Sequence, residues 1–259
     1  MKTAVIKLSG KSIEQLLTNP NWINQIRVFL GEYDGLVIVH GAGNIISDWS
    51  LKLGCKSEFI NGHRVTNDDM MDVVAAVQNG LINAKIVAYL LSKGINAAGY
   101  NGVDNGLFEA EYISSELGYV GIPKIKSSTE WLKNLMLNKT IPVFSSICRD
   151  KDGHLMNVNA DVFTIALADA IQTDAVIFLS DIDGVKIYGK TQMMISENDI
   201  HTGINNGEIT DGMIPKLQSC IDLIKQGVSK IWIGNDLHQL NPLTKSKGTW
   251  VVSSKKLSA

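Results

Sequence analysis

An excess of charge of either sign is missing from this 259-residue chain, in which 24 lysines and arginines stand against 26 aspartates and glutamates. That balance, with basic and aromatic residues not interleaved, argues against nucleic acid or a membrane surface as the main partner. Cysteine is scarce as well. Cys55, Cys148 and Cys220 are odd in number, widely spaced and form no CxxC pair, so they read as reduced thiols in a cytoplasmic protein. No apolar run reads as long enough to span a bilayer. The opening Met1-Lys-Thr-Ala-Val-Ile-Lys7 enters a strand pattern at once and lacks the long apolar region and cleavage site of a signal peptide. The histidines His40, His63, His154, His201 and His238 show no metal-ligand spacing, and no Ser-His-Asp arrangement stands out. His40, at a strand end, reads as structural. Repeats and low-complexity tracts are also lacking.

What is present is an alternation of strand and helix patterns. Thr3–Lys7 reads as a strand, followed by a turn at Ser9-Gly10 and a helix capped by Ser12. Gly35–His40 is a continuous apolar strand, then Gly41-Ala-Gly-Asn44 leads to a helix from about Ile45. Asn67-Asp-Asp69 signals the start of a long helix over Asp68–Leu91, with a stop at Gly94. A strand at Ile95–Gly99 precedes hairpins and loops as far as Gly121. A helix near Ser128–Asn138 and a strand over Ile141–Ile147 follow. Further strands are expected from Asp174 to Leu179, from Lys230 to Gly234 and from Gly248 to Ser253, with a helix over Met213–Gly227. Such alternation predicts an α/β fold, a mostly parallel sheet covered on both faces. A soft boundary falls at Ile171-Gln-Thr173, dividing the chain into lobes of residues 1–172 and 173–259.

The segment Leu155-Met-Asn-Val-Asn-Ala-Asp161 places Asn157, Asn159 and Asp161 between a strand pattern and a helix start. Ligands bind at such strand ends in open α/β sheets. Asn159 or Asp161 could also simply cap the helix. Glycine turns at Ser9-Gly10, Gly41-Ala-Gly43 and Asp181-Ile-Asp-Gly184 each follow an apolar strand, where backbone N–H groups can approach phosphate. Gly41-Ala-Gly43 has Ile46 where a dinucleotide fingerprint needs glycine, so it does not predict NAD. Gly184-Val-Lys-Ile-Tyr-Gly-Lys-Thr191 matches the P-loop letters, but its middle reads as a strand and no long helix pattern follows, so the match is taken as accidental. Lys7 lies at a strand end and Lys216 at a helix start, against the dipole preference. Two such lysines, with Asp161 to orient them, suit a highly charged phosphoryl transition state. Arg64 suits a two-pronged bond to a carboxylate, or is an ordinary surface arginine.

Taken together, Lys7-Leu-Ser-Gly10, Val39-His-Gly-Ala-Gly43, Asn61-Gly-His-Arg-Val-Thr66, Leu155–Asp161, Leu179-Ser-Asp-Ile-Asp-Gly184 and Ile209-Thr-Asp-Gly-Met-Ile-Pro-Lys216 resemble the amino acid kinase family nearly end to end. The resemblance implies a three-layer αβα sandwich around a mainly parallel sheet. In that family the N-terminal lobe binds an acylated amino acid and dimerises, and the C-terminal lobe binds ATP. The implied activity is ATP-dependent phosphorylation of the γ-carboxylate of N-acetyl-L-glutamate to an acyl phosphate, in arginine biosynthesis. By the same resemblance Lys7 and Lys216 neutralise the transferring group, Asp161 orients them, and Gly10, Gly41 and Gly43 supply backbone donors. Arg64, Asn157 and Asn159, with the Ala42-Gly43 backbone, hold the substrate. Asp181, Gly184, Ile209 and Thr210 line the nucleotide pocket, and magnesium rides mainly on the ATP phosphates, with no protein metal ligand. A γ-carboxylate, with a reference pKa of about 4.3, is already ionised at neutral pH and needs no general base.

The sequence departs from the family pattern at three places. Ala42 stands in the usual glycine run, with its methyl expected where backbone meets ligand. His63 replaces an apolar residue beside Arg64, and Ser9 replaces a common glycine. These changes leave N-succinyl-L-glutamate open as substrate, and carbamate or an aminoadipate derivative for a related kinase. A non-catalytic sensor of nucleotide or amino acid and a P-loop NTPase are the readings from other classes. Because the chain begins at the first strand, without the extra N-terminal helix of arginine-inhibited hexamers, a homodimer through the helix Asp68–Leu91 without arginine feedback is expected.

Overall fold

A computed structural model describes residues 1–210, 213–237 and 248–254. Asp211 and Gly212 of the Ile209–Lys216 motif, and His238, lie outside the described residues. Eight strands form one sheet in the order Met194–Ser196, Thr249–Val252, Lys230–Gly234, Ala175–Leu179, Thr3–Leu8, Gly35–His40, Ile141–Ser145 and Ala97–Asn101. Neighbours pair in parallel except Lys230–Gly234 with Thr249–Val252. The continuous apolar runs exist because each central strand is buried on both faces. Ala4, Ile6, Leu8, Leu36 and Ile38 join one hydrophobic cluster, and their alternates Val5, Val37 and Val39 join the other. Helices Gly10–Thr18, Pro20–Glu32, Gly43–Lys52 and the tract from Asp68 cover the first face. Helices Glu130–Leu137, Ala160–Ile171, Glu197–Asn205 and Met213–Lys225 cover the second. The expected αβα sandwich is therefore the architecture observed, and the sheet runs unbroken across the 172/173 division, since Thr3–Leu8 pairs with both Gly35–His40 and Ala175–Leu179.

Several local expectations need correction. The first helix begins at Gly10 and is capped by Ser9, whose hydroxyl accepts the Ser12 N–H; Ser12 is not the cap. The helix expected from Ile45 starts at Gly43 without a side-chain cap. The strand expected over Ile141–Ile147 breaks at Ser146, and Ile147–Arg149 crosses into a second, four-stranded sheet with Leu155–Asn157, Phe108–Tyr112 and Gly121–Ile125. The long tract starts after the Asn67 cap as expected, but Ala75–Asn83 within it is π-helical. Contrary to the expectation that no run is long enough to span a bilayer, Asp68–Ser92 is by length and composition apolar enough to cross a membrane. Its polar side chains tie it to the sheet instead. Gln78 donates to Ser146 Oγ at 2.7 Å, and Asn83 donates to Val143 O at 2.8 Å.

Asn83 also fixes the state of His40, which is fully buried. Its Nδ2 lies 3.0 Å from His40 Nε2 while donating to Val143 O, so Nε2 accepts. The other ring nitrogen, Nδ1, then donates to Gly41 O at 3.1 Å. Both contacts select the neutral imidazole. Gly99 leaves room for this amide, since a β-carbon there would approach Asn83 Oδ1 to 2.0 Å. Burial pushes the His40 pKa from 6.5 down to about 4, opposed in part by the bond to Gly41.

Because the folded pKa lies below the unfolded one, the stability from neutral His40 is complete above pH 6.5 and fades as pH falls towards about 4. At 1.36 kcal/mol per unit the loss is about 3 kcal/mol. Urea unfolding across that window should show the wild-type advantage over His40→Gln shrinking by about that amount; an advantage independent of pH would contradict the neutral assignment.

Candidate active site

The sheet order places Thr3–Leu8 where the chain switches from building one side of the sheet to building the other, the position at which open α/β sheets bind ligands. Lys7 stands near the carboxyl end of this strand, 8 % exposed. Its Nζ pairs with Asp161 Oδ1 at 2.7 Å. From the other side Lys216 Nζ lies 3.7 Å from Asp161 Oδ2 and donates to Ser180 Oγ at 3.3 Å. One carboxylate thus sits between two ammonium groups, for a local charge of +1. Asp161 occupies the first turn of Ala160–Ile171, where the helix dipole favours its negative charge. Burial alone would raise its carboxyl pKa, but the charges and hydrogen bonds of Lys7 and Lys216 hold it below the usual range. Lys216 is pushed down by burial and by Lys7 and drawn back up by Asp161, with a net lowering.

Lys7, Gly10, Gly41, Ala42, Gly43, Arg64, Asn157, Asn159 and Asp161, all singled out from sequence, line one cavity of about 250 Å³. A β-carbon at Gly10 or Gly43 would meet no atom within 4 Å, so packing does not demand glycine at either place, and the backbone faces the cavity. Gly41 packs closely instead, with 3.3 Å from its ideal Cβ to Ala160 Cβ. Asn159 is the helix cap, accepting the N–H groups of Asp161 and Val162, so for this residue the capping reading holds while it also lines the cavity. Asn157 donates to Thr66 Oγ1 at 3.1 Å, which links it to the strand carrying Arg64.

Arg64 is buried to 6 % exposure and is not the surface residue of the alternative reading. It closes a hairpin of Phe59–Ile60 and His63–Arg64 whose turn residues Asn61 and Gly62 both have positive φ, as a two-residue type I′ turn requires. Its guanidinium stacks over the Phe59 ring, 4.6 Å from the centroid. His63 lines the same cavity. The Ala42 methyl was expected to intrude where backbone meets ligand, but Ala42 is only 1 % exposed and belongs to the hydrophobic core beneath the cavity wall.

Asp181, Gly184, Ile209 and Thr210 line a second cavity, of about 370 Å³, together with Ile182, Asp183, Lys186, Glu208 and Met213. Its connection to the first is direct: Ser9 Oγ donates to Asp181 Oδ1 at 3.2 Å, and the Ser180 that Lys216 touches precedes Asp181. The P-loop match is a β-hairpin, with Lys186–Ile187 paired to Lys190–Thr191 across Tyr188 and Gly189, both at positive φ. No helix follows it to cradle phosphate; the next element is the strand Met194–Ser196.

Sequence reasoning missed Gln78, Ser146 and Ser180. The last could have been found from its place after a strand end, whereas Gln78 reaches the first cavity only through helix packing. It also missed a grouping of Asp150, Asp152 and His154, whose ligand atoms lie within 4.8 Å of one another. This is turn chemistry: Asp150 Oδ1 accepts the N–H groups of Asp152 and His154, and Oδ2 contacts the His154 ring.

The family model for the amino acid kinase family matches residues 2–235. The acetylglutamate kinase of Bacillus subtilis (strain 168) is 33 % identical over 257 residues, covering 98 % of each chain. That of Dehalococcoides mccartyi is 37 % identical over 235 residues, covering 87 % of this chain and 84 % of the other. Among solved structures, smu.665 from Streptococcus mutans UA159 superposes with a TM-score of 0.85 at 27 % identity, covering 96 % of this chain and 98 % of that one. Giardia carbamate kinase shares the fold, with a TM-score of 0.67 at 14 % identity and coverage of 98 % and 99 %. With its sandwich, its paired lysines and a match running through most of its length, the chain belongs to the amino acid kinase family.

Proposed function

We propose that this protein is an acetylglutamate kinase, transferring the γ-phosphoryl group of ATP to the γ-carboxylate of N-acetyl-L-glutamate to give an acyl phosphate. The observation that carries the reading is the Lys7–Asp161–Lys216 arrangement, of which Lys7 and Asp161 line the first cavity while Lys216 lines neither. Bringing an anionic acceptor to an anionic donor is chiefly a problem of charge, and ammonium groups answer it by position and field. The acceptor is ionised at neutral pH, so no general base is called for, and the one carboxylate beside Lys7 is committed to the lysines. In this reading Lys7, Lys216 and the backbone at Gly10 receive the transferring group, and Asp161 keeps the lysines oriented. The Gly41-Ala42-Gly43 backbone, Arg64, Asn157 and Asn159 hold the acyl-amino acid in the first cavity. Asp181, Gly184, Ile209 and Thr210 line the nucleotide's cavity.

Magnesium would be carried by the ATP phosphates, relieving their charge, while Asp161 is already ion-paired with both lysines. The similarity to acetylglutamate kinases over nearly the whole chain favours N-acetyl- over N-succinyl-L-glutamate and an active kinase over a sensor. The same reading makes residues 1–172 the acyl-amino-acid lobe and 173–259 the ATP lobe. It makes the protein a cytoplasmic homodimer of arginine biosynthesis that pairs through the helical tract from Asp68.

Purified protein incubated with ATP, magnesium, hydroxylamine and N-acetyl-L-glutamate should yield a hydroxamate from the trapped acyl phosphate. ATP binding without hydroxamate would overturn the assignment. Lys7→Ala and Lys216→Ala should each lower kcat by about 10²–10³, the scale of losing one preorganised charge contact; near-normal rates in either would remove the clamp. Lys190→Ala should leave turnover intact, because Lys190 itself lines neither cavity, although Lys186 on the facing strand lines the second; an inactive variant would revive the P-loop reading. Asp161→Asn should drop the Lys216 pKa further, since the carboxylate is what draws it upward. NMR titration of isotopically dimethylated lysines reads that shift, and an unchanged Lys216 would contradict the coupling.

A further inference from the structure

Arg64 is a buried cation whose described contacts are with neutral oxygens, not with a carboxylate. Its Nη1 donates to Ser57 Oγ, and its Nη2 donates to Gly43 O at 2.8 Å and to Ser47 Oγ at 2.9 Å. Burial lowers its pKa, yet a guanidinium stays charged in proteins. A charge left in such surroundings is matched when an anion arrives in the cavity it lines.

The hydrogen-bond directions around it are determined. Ser50 Oγ donates to Ser47 O at 2.9 Å, which uses its only hydrogen. In its 2.8 Å contact with Ser57 Oγ it must therefore accept, so Ser57 is the donor. With that hydrogen spent, Ser57 Oγ turns a lone pair to Arg64 Nη1. On the other branch Ser47 Oγ donates to Gly43 O at 3.2 Å and accepts from Arg64 Nη2. Every hydroxyl that meets the guanidinium has its own hydrogen committed onward, and such chains polarise each link. The chain also spans two segments. Ser47 and Ser50 lie on the helix Gly43–Lys52, while Ser57 precedes the hairpin that carries Arg64. The Ser57–Ser50 branch ends on Ser47 O and the Ser47 branch on Gly43 O, which also accepts from Arg64 directly; Gly43 itself lines the cavity. Of the five guanidinium N–H groups, three are used in these bonds, and two have no hydrogen-bond partner among the described residues.

We propose that Ser47, Ser50 and Ser57 form a hydroxyl relay that sets the orientation of Arg64 against the Gly43 backbone, and so the affinity for the carboxylate of the acyl-amino acid. Ser57 is the positioning residue that tests it best. The proposal rests on the reading of the first cavity as the acyl-amino-acid site. Ser57 is half-buried and outside helix and sheet, so its hydroxyl can be removed with little cost to the fold.

The experiment is steady-state kinetics with N-acetyl-L-glutamate and ATP on wild type, Ser57→Ala, Ser57→Thr, Arg64→Ala and the Arg64→Ala/Ser57→Ala pair. Ser57→Ala should raise the KM for N-acetyl-L-glutamate roughly tenfold, the scale of one hydrogen bond to a charged group. The KM for ATP, kcat and Tm should hold, and Ser57→Thr should restore the KM. In the Arg64→Ala background, removing Ser57 should change kcat/KM no further, because its effect passes through Arg64. An unchanged KM in Ser57→Ala, or an equal further loss in the Arg64→Ala background, would overturn the relay while leaving the kinase reading intact. A wild-type protein that does not phosphorylate N-acetyl-L-glutamate would overturn that reading, and the relay with it.

Discussion

A single carboxylate between two ammonium groups is the constraint on which the rest of this molecule depends. Two lysines held near each other repel, and burial further disfavours the charge of Lys216. Asp161 resolves this by pairing with both, and the helix start it occupies favours its own ionised form. The three residues are far apart in the chain. They meet because Thr3–Leu8 is central in the sheet, Ala160–Ile171 covers one of its faces, and Met213–Lys225 packs beside that helix. Losing the placement of Ala160–Ile171 would leave both ammonium groups without their shared partner.

Around this centre the fold supplies neutral but directional groups. The glycine turn after Gly35–His40 presents backbone to the first cavity, and its conformation is backed from below by the neutral His40 held by Asn83. Gln78 adds a second tie, donating to His40 O at 3.3 Å and to Ser146 Oγ. Both amides come from the π-helical stretch Ala75–Asn83, and π-helical turns recur at functional sites. The hairpin with Arg64 then closes the cavity from the side.

Much of this was legible in the residues. Strands buried on both faces announce themselves as apolar runs, and Asn67 marks a helix start by its side chain alone. The polar interruption Asn157, Asn159 and Asp161 stood out because such groups are costly where burial is expected. What was hidden depends on distance in space. Ser9 and Ser12 are equally good caps by type, and only the geometry of the turn selected Ser9. The π-helical register and the roles of Gln78, Ser47 and Ser57 arise from tertiary packing that no local pattern encodes. The tract from Asp68 to Ser92 is apolar enough to pass for a membrane span because its neighbours cover part of it. In the opposite direction, the P-loop letters carried no structure: a strand-forming middle and a Tyr188-Gly189 turn made a hairpin from them.

The central claim is that the transferring phosphoryl group is received by both lysines at once. A crystal structure with ADP, magnesium, N-acetyl-L-glutamate and tetrafluoroaluminate tests it most directly, because the planar fluoride complex mimics the group in transit. The expected result has the fluorides within hydrogen-bond reach of both Lys7 Nζ and Lys216 Nζ, with Asp161 still bridging the two side chains. A complex seated beyond the reach of either lysine would contradict the account.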